Sequence, residues 1–554
     1  MPADFVQAAA LTVGASFVVW NIYHRYEPAG FLSAGFLLFA IPGFIAHQVQ
    51  PLFSSLTRAY LTIFTIYWGV ILLFTTAYRL SPFHPLAKYP GPTACKVSKI
   101  WMSVIAAKGY THRYVCDLHT QYGDVVRIGP NELSFRHEDL INPILANKEL
   151  RKGPYYDIRT QDGVSPLDGL KDYAEHAARR RLWNRGTSVA SAKTYTDHLR
   201  HVIDEFMQAL AQRQDQTIDI SKWMSFAALD FMGHMTFSES FDMIKIGRDH
   251  NGLIHAVDEI CYQCHVVSQT PWIFAFLKYI PGAASGIKTA RRAGQEVADK
   301  RMKRGSNSRD LYHYLLDEDG FEKIKPSKDV ALVEGILSII AGADTTATAI
   351  VNAVYFLLKN PEVKKRLQAE IDDALSAQDS PDYTKFVELP FLNACVNETL
   401  RLLPPGLTGF QRQVDPKSGG KMLGEYFVPA GTNVSAHLYT IQRDPRYFQP
   451  LPLTFWPDRW LEQDVYTLPS GEKIGKDQVV LSRNAFYPFS TGQQSCAGKT
   501  VAHLELRSIL IALLHRFEIL PAKGYRVDSY EENLMDVYVT LRGPLQVQLQ
   551  SRLE

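Results

Sequence analysis

Cysteine binds a metal as its thiolate, and that anion is favoured beside cations or a helix N-terminus. The stretch FSTGQQSCAGK, Phe489 to Lys499, holds one such residue, Cys496, between Gly492 and Gly498. The run after it reads as a helix from Gly498 to Phe517, whose free N–H groups could stabilise a sulfur anion. The glycines permit turns and let backbone approach a flat ligand closely. No cysteine or histidine stands at a zinc-type spacing from Cys496. One thiolate without a second protein ligand suits a metal whose other positions a macrocycle fills. Haem is such a group, and an axial thiolate favours O–O cleavage. Taken alone, the loop fits an inert buried cysteine in a turn equally well.

Other residues carry potential chemistry. ILSIIAGADTTATAIV, Ile336 to Val351, reads as a helix in which Ala341, Gly342 and Ala343 form a notch. Glycine costs about 1 kcal/mol against alanine in a helix interior, so the notch marks a ligand approaching the backbone or a helix-packing site. Thr345 can return its hydroxyl to the Ala341 carbonyl, and Asp344 is an acid in apolar surroundings, suited to relaying protons. In NETLRLLPP, Glu398 and Arg401 share a helical face and can pair; alone, such pairs are usually solvated surface bridges. EHAARRRLW sets His176 and Arg180 one turn apart, and GFQRQV adds Arg412. Arg179 and Arg181 also fit a basic helix face in solvent. CYQC, with Cys261 and Cys264, lacks a second CxxC or a histidine pair and reads as two cysteines on an apolar helix face.

Together these motifs resemble the cytochrome P450 (haem-thiolate monooxygenase) superfamily, and its fungal microsomal members most. Phe489, Gly492, Cys496 and Gly498 match the F-x-x-G-x-x-x-C-x-G haem loop; Ala341, Gly342, Asp344, Thr345 and Thr346 match A/G-G-x-D/E-T-T. The resemblance covers the chain from roughly His84 to its end, with four motifs in the family's order. It implies that Cys496 is the axial ligand of haem b, with Phe489 packed beside the sulfur. It implies that Asp344 and Thr345 deliver protons to dioxygen, and that Glu398, Arg401 and Arg459 of WPDRW hold the haem-binding core in shape. His176, Arg180 and Arg412 become candidate partners of the haem propionates. The family usually places arginine or histidine two residues before the cysteine; here stands Gln494, which can offer at most a hydrogen bond.

The elements that must position these residues are mostly helical. The 554 residues suffice for a large domain with an addition, and the net charge of +2 leaves no footprint for a nucleic-acid partner. Six scattered cysteines exclude a disulfide framework. Phe5 to Tyr23, Ala29 to Ala46 and Tyr60 to Tyr78 are charge-free and long enough to span a membrane, the middle one weakened by Pro42 and Gly43. Arg79, Lys88, Lys96 and Lys99 after the third span put the remainder of the chain on the cytosolic side. The expected architecture is an anchor of two to three transmembrane helices over 1–80, a stiff, extended proline-rich hinge over 81–92, and a catalytic domain over 93–554. That domain is mainly α with a small β region, the cytochrome P450 fold.

The resemblance implies an endoplasmic reticulum membrane protein that inserts one oxygen atom of O2 into a lipophilic small molecule, in fungal secondary metabolism or xenobiotic oxidation. Electrons would come from NADPH-cytochrome P450 reductase, with cytochrome b5 a further candidate donor, docking on basic residues around Lys499 and Arg179 to Arg181. The competing classes are a haem-thiolate isomerase or dehydratase that does not use O2, and a non-enzymatic membrane scaffold. Substrate choice falls to segments around Tyr155 to Asp168, Cys261 to Pro281, Pro404 to Gly409 and Leu534 to Val537.

Overall fold

The computed structural model describes residues 3–28, 30–160, 163–273, 276, 282, 285–305, 309–376, 388–408 and 410–553. Three helices come first: α1 (Ala3–Tyr26, long and apolar from Asp4), α2 (Phe31–Gln48) and α3 (Leu56–Leu80). Each is long and apolar enough to cross a membrane, and most of each surface faces outward. The middle helix carries a π turn at Phe36–Ala40. Carbonyls in that turn accept hydrogen bonds from α3, Leu37 from the Tyr67 hydroxyl at 2.7 Å and Leu38 from the Trp68 indole at 3.0 Å. A wide turn in an apolar helix is thus satisfied by its neighbour.

The connector Ser81–Pro92 departs from the extended segment its prolines suggest. Proline excludes regular helix, but the chain folds into successive turns, with Ala87 N–H donating to the His84 carbonyl at 2.8 Å. Leu86, Tyr89 and His84 are buried, and His84 Nε2 meets Arg127 Nη2 at 3.2 Å. Apolar residues between the prolines draw the segment onto the body.

The body is built on helices α4 (Tyr173–Gly186), α5 (Thr196–Ala211), α6 (Ile220–Phe237), α7 (Leu253–Ser268), α8 (Lys328–Lys359), α9 (Pro390–Leu402) and α10 (Lys499–Arg516). Helix α8 is as apolar as a membrane span but is the central core helix, crossed by α6 and flanked by α10. Ser327 caps it, accepting a hydrogen bond from the Val330 N–H. A five-stranded sheet has the order β1 (Val125–Gly129), β2 (Glu132–Phe135), β5 (Asn433–Ala436), β4 (Arg412–Val414), β3 (Leu150–Lys152); only the β2–β5 pair is parallel. Strand β6 (Phe517–Pro521) pairs with β9 (Gln546–Ser551), and β7 (Met535–Val537) forms a hairpin with β8 (Val539–Leu541). The mainly helical body with a minor sheet agrees with the expected fold.

Candidate functional site

Phe489 to Lys499 forms a tight loop feeding α10. The Cys496 N–H donates to the Phe489 carbonyl at 2.8 Å, closing the loop on itself. Gly492 has φ +74°, and a Cβ there would lie 2.6 Å from Ala146 Cα, so both turn and close approach require glycine. At Gly498, by contrast, a Cβ would meet no protein atom within 4 Å among the described residues. Cys496 is exposed on one side, yet protein on its other sides desolvates the thiol and raises its pKa. Opposing this are backbone hydrogen bonds from Gly498 and Lys499 and the charges of Arg180 and Lys499. Those amides belong to the start of α10, so the sequence expectation of a helix N-terminus facing the sulfur holds.

A second exposed spot lies deep in the fold. Ala341 is exposed although Ile339, Ala343 and Asp344 around it on α8 are buried. Exposure in the middle of a core helix means an interior space. Thr345 donates its hydroxyl to the Ala341 carbonyl at 2.5 Å. Gly342 does not open onto this space: a Cβ there would lie 2.5 Å from Met232 Cε and Sδ, so its notch receives a side chain of α6. Nor is Asp344 surrounded only by apolar groups. Its Oδ1 accepts from Arg542 Nη2 at 2.8 Å, while Oδ2 is buried without a partner among the described residues. Desolvation raises the Asp344 pKa and the Arg542 charge partly offsets that.

The basic residues converge. His176 is buried, and its pKa is pushed down to about 4 by desolvation and then by Lys152, Arg180 and Arg412. Lys152 belongs to none of the sequence motifs; it is the direct partner of Arg412 in the β3–β4 register, so both side chains share a face. Burial lowers its pKa to about 7. Arg412 is buried, its Nε without a partner among the described residues, and Arg180 donates to the Ser495 carbonyl beside the cysteine. Gln494 holds both of its amide atoms buried and without a partner among the described residues. Arg412 with its free Nε, and Lys152 and His176 held below their usual pKa range by burial and neighbouring positive charge, call for an anionic partner. Two propionates meet that demand, and the thiol with its exposed face meets a metal, so these residues fit haem.

Glu398, Arg401 and Arg459 come together as the sequence suggested, all fully buried. Arg459 Nε donates to Glu398 Oε1 at 3.1 Å, and Trp460 Nε1 to Oε2 at 2.9 Å. Arg401 Nη1 also donates to the carbonyls of Gln442 and Pro452, tying α9 to the loop before Cys496.

Arg179 departs from the basic docking face. It is buried, donating to Glu334 Oε1 on α8 at 3.2 Å, while Trp183 donates to the same carboxylate. Arg181 and Lys499 are exposed, and Arg181 pairs with Glu322. On α7, Cys261 is buried and Cys264 half-buried, both thiols pushed up by desolvation, as suits packing cysteines.

The segments expected to choose substrate lie together. Arg159 pairs with Asp168 at 2.7 Å and lies over the Tyr156 and Tyr538 rings, at 4.6 Å and 3.9 Å. Tyr155 Oη meets His265 Nδ1 at 2.9 Å, and Thr408 donates to Asp536. Gln161, Asp162, Pro281 and Gly409 lie outside the described residues.

Known proteins are similar to the chain over most of its length. The family model described as "Cytochrome P450" matches residues 90–549. A cytochrome P450 monooxygenase (orf5) of Eupenicillium brefeldianum is 30% identical, the match covering 86% of this chain and 93% of that protein. Another, phqL of Penicillium fellutanum, is 30% identical over 85% of this chain and 80% of its own. The tryprostatin B 6-hydroxylase of Aspergillus fumigatus is 30% identical over 80% and 76%.

Proposed function

The chain belongs to the cytochrome P450 family and is a haem-thiolate monooxygenase, and from that premise we propose that Cys496 is its axial ligand and that it oxygenates a lipophilic organic substrate with NADPH-derived electrons. The observation that carries the ligand assignment is the Cys496 thiol, exposed on one side, with the amides of Gly498 and Lys499 turned toward its sulfur. Bound haem supplies the activation of dioxygen. The chain's own residues do the rest. Lys152, His176, Arg180 and Arg412 hold the propionates, with Gln494 donating a hydrogen bond. Phe489, whose ring lies 4.9 Å from that of His503, braces the sulfur side. Thr345, its hydroxyl anchored on Ala341, and Asp344, with Oδ2 free, hold and pass protons. Glu398, Arg401 and Arg459 fix the scaffold behind the loop.

In the same scheme α1–α3 lie in the endoplasmic reticulum membrane, 81–92 is the joint, and the domain 93–554 is in the cytosol. A membrane-bound NADPH-cytochrome P450 reductase delivers electrons, with cytochrome b5 as a second donor, near Lys499 and Arg181. The apolar outward faces of α1–α3 support the anchor. The fungal relatives, one named as a hydroxylase, support hydroxylation or epoxidation in secondary metabolism. The reduced, carbon monoxide-bound absorption spectrum tests the ligand assignment. The full-length protein should show the thiolate-type Soret band and Cys496→Ser should lose it; a band that survives the substitution sinks the assignment. Spectral shifts across a lipophilic library then identify the substrate class.

A further inference from the structure

Asp258 on α7 has no part in the chemistry described so far. It lines a small cavity with Asp344, Ala343, Ser225, Leu229 and Val257. The space, about 20 Å³, is enough for the centre of a water molecule. Asp344 brings to this cavity a carboxylate whose Oδ1 is taken by Arg542 and whose Oδ2 has no partner among the described residues. Ser225 accepts a hydrogen bond from the same Arg542 Nη2 at 2.8 Å, so the guanidinium fixes one wall. Asp258 itself is only half-buried, so part of its surface outside the cavity is open to water. Burial first, and then the Asp344 charge from α8, push its carboxyl up to about 7; Asp249 adds to this, while Arg542 from the end of β8 and His255 on α7 oppose it.

We propose that Asp258 is the outer station of a two-carboxyl proton path whose inner station is Asp344. The proposal rests on the reading that Asp344 supplies protons to the reaction. In each passage the Asp258 O–H bond breaks and its proton joins a water in the cavity. That water releases one of its protons to Asp344 Oδ2, and the Asp258 carboxylate regains a proton from solvent. No electrons move, and the net change is one proton carried inward. Arg542, by occupying Oδ1, leaves Oδ2 as the receiving oxygen. Asp258 is therefore a positioning residue acting through Asp344.

The test uses the full-length haem-loaded protein as wild type, Asp258→Asn, Asp258→Glu and Asp344→Asn. Difference infrared spectra should show protonated-carboxyl absorption titrating near pH 7 from both Asp258 and Asp536, each pushed up by burial, and the Asp258 component is the one followed. It should vanish in Asp258→Asn, persist in Asp258→Glu, and titrate lower in Asp344→Asn, where the neighbouring charge is gone. Reductase-driven dioxygen consumption with NADPH and no organic substrate provides the second readout. Asp258→Asn should slow it about tenfold and enlarge its solvent deuterium isotope effect, and Asp258→Glu should restore both. Asp344→Asn at wild-type rate would defeat the underlying proton-supply reading. Asp344→Asn slowed while Asp258→Asn keeps wild-type rate and isotope effect overturns the Asp258 proposal alone, as does a band unchanged in Asp258→Asn.

Discussion

Arg401 grips Glu398 through two parallel hydrogen bonds, Nε to Oε2 and Nη2 to Oε1, each 2.8 Å long. Arg459 and the Trp456 N–H converge on Oε1 as well. Burial pushes the Glu398 carboxyl up, but the Arg401 charge and these hydrogen bonds win and hold it below the usual range. Glu398→Gln would leave two buried guanidinium groups without their anion, a loss of about 3–5 kcal/mol. Denaturant unfolding of wild type and variant in the same detergent measures this. Because the folded pKa is depressed, the pair's contribution is present above the unfolded glutamate pKa and fades as pH falls through the folded value. The variant should therefore differ least from wild type at low pH.

The motif residues of this network were readable in the sequence because spacing along one helix settles which face they share. The three-residue interval put Glu398 and Arg401 on one helical face. Their union with Arg459, like the ligand role of Cys496, followed only from the family resemblance, since spacing alone fits a surface pair and an inert cysteine as well. Lys152 and Arg542 were not readable. Lys152 acquires its role from the register of β3 on β4, and Arg542 lies 198 positions from Asp344. Neither the strand register nor the long-range ion pair carries a local signal strong enough to fix it from one chain. Met232 filling the Gly342 notch has the same origin: helix spacing shows a gap but not which neighbour enters it.

That notch gives a second prediction. Gly342→Ala should gain about 1 kcal/mol of helix propensity and lose about 1–3 kcal/mol to overpacking, because the new methyl group would lie 2.5 Å from Met232 Cε and Sδ. A net loss is expected, relieved when Met232→Ala is combined with it. A double-mutant cycle of unfolding free energies checks this; strict additivity would mean the two residues do not meet.

Lys152 yields a dependence on pH. Burial lowers its folded pKa to about 7, while in the unfolded chain lysine keeps its proton to about 10.4. Between those values the unfolded state binds more protons, so stability rises with pH. Relative to Lys152→Met, the haem-depleted protein should gain stability from about pH 7 to about pH 10. If bound haem sets a propionate beside the amine, its charge would raise the pKa, and the same comparison on the haem-loaded protein should be flatter. Equal slopes with and without haem would remove Lys152 from the propionate site.

Gln494 concerns the same site from the loop side. Its Nε2 and Oε1 are buried and without a partner among the described residues, an arrangement that costs free energy unless a ligand atom completes it. The neighbouring basic groups, Arg180 beside Ser495 and the Lys152–Arg412 pair on the sheet, would supply positive charge to propionates bound there. Gln494→Arg would add a charge-assisted hydrogen bond. The expected result is haem transfer to an acceptor apoprotein slowed about tenfold, together with a shifted haem potential. Gln494→Leu keeps the volume but removes the donor, and should speed transfer. If the two variants retain haem equally, the amide makes no contact with the cofactor and the cations of α4 and the sheet carry the propionates alone.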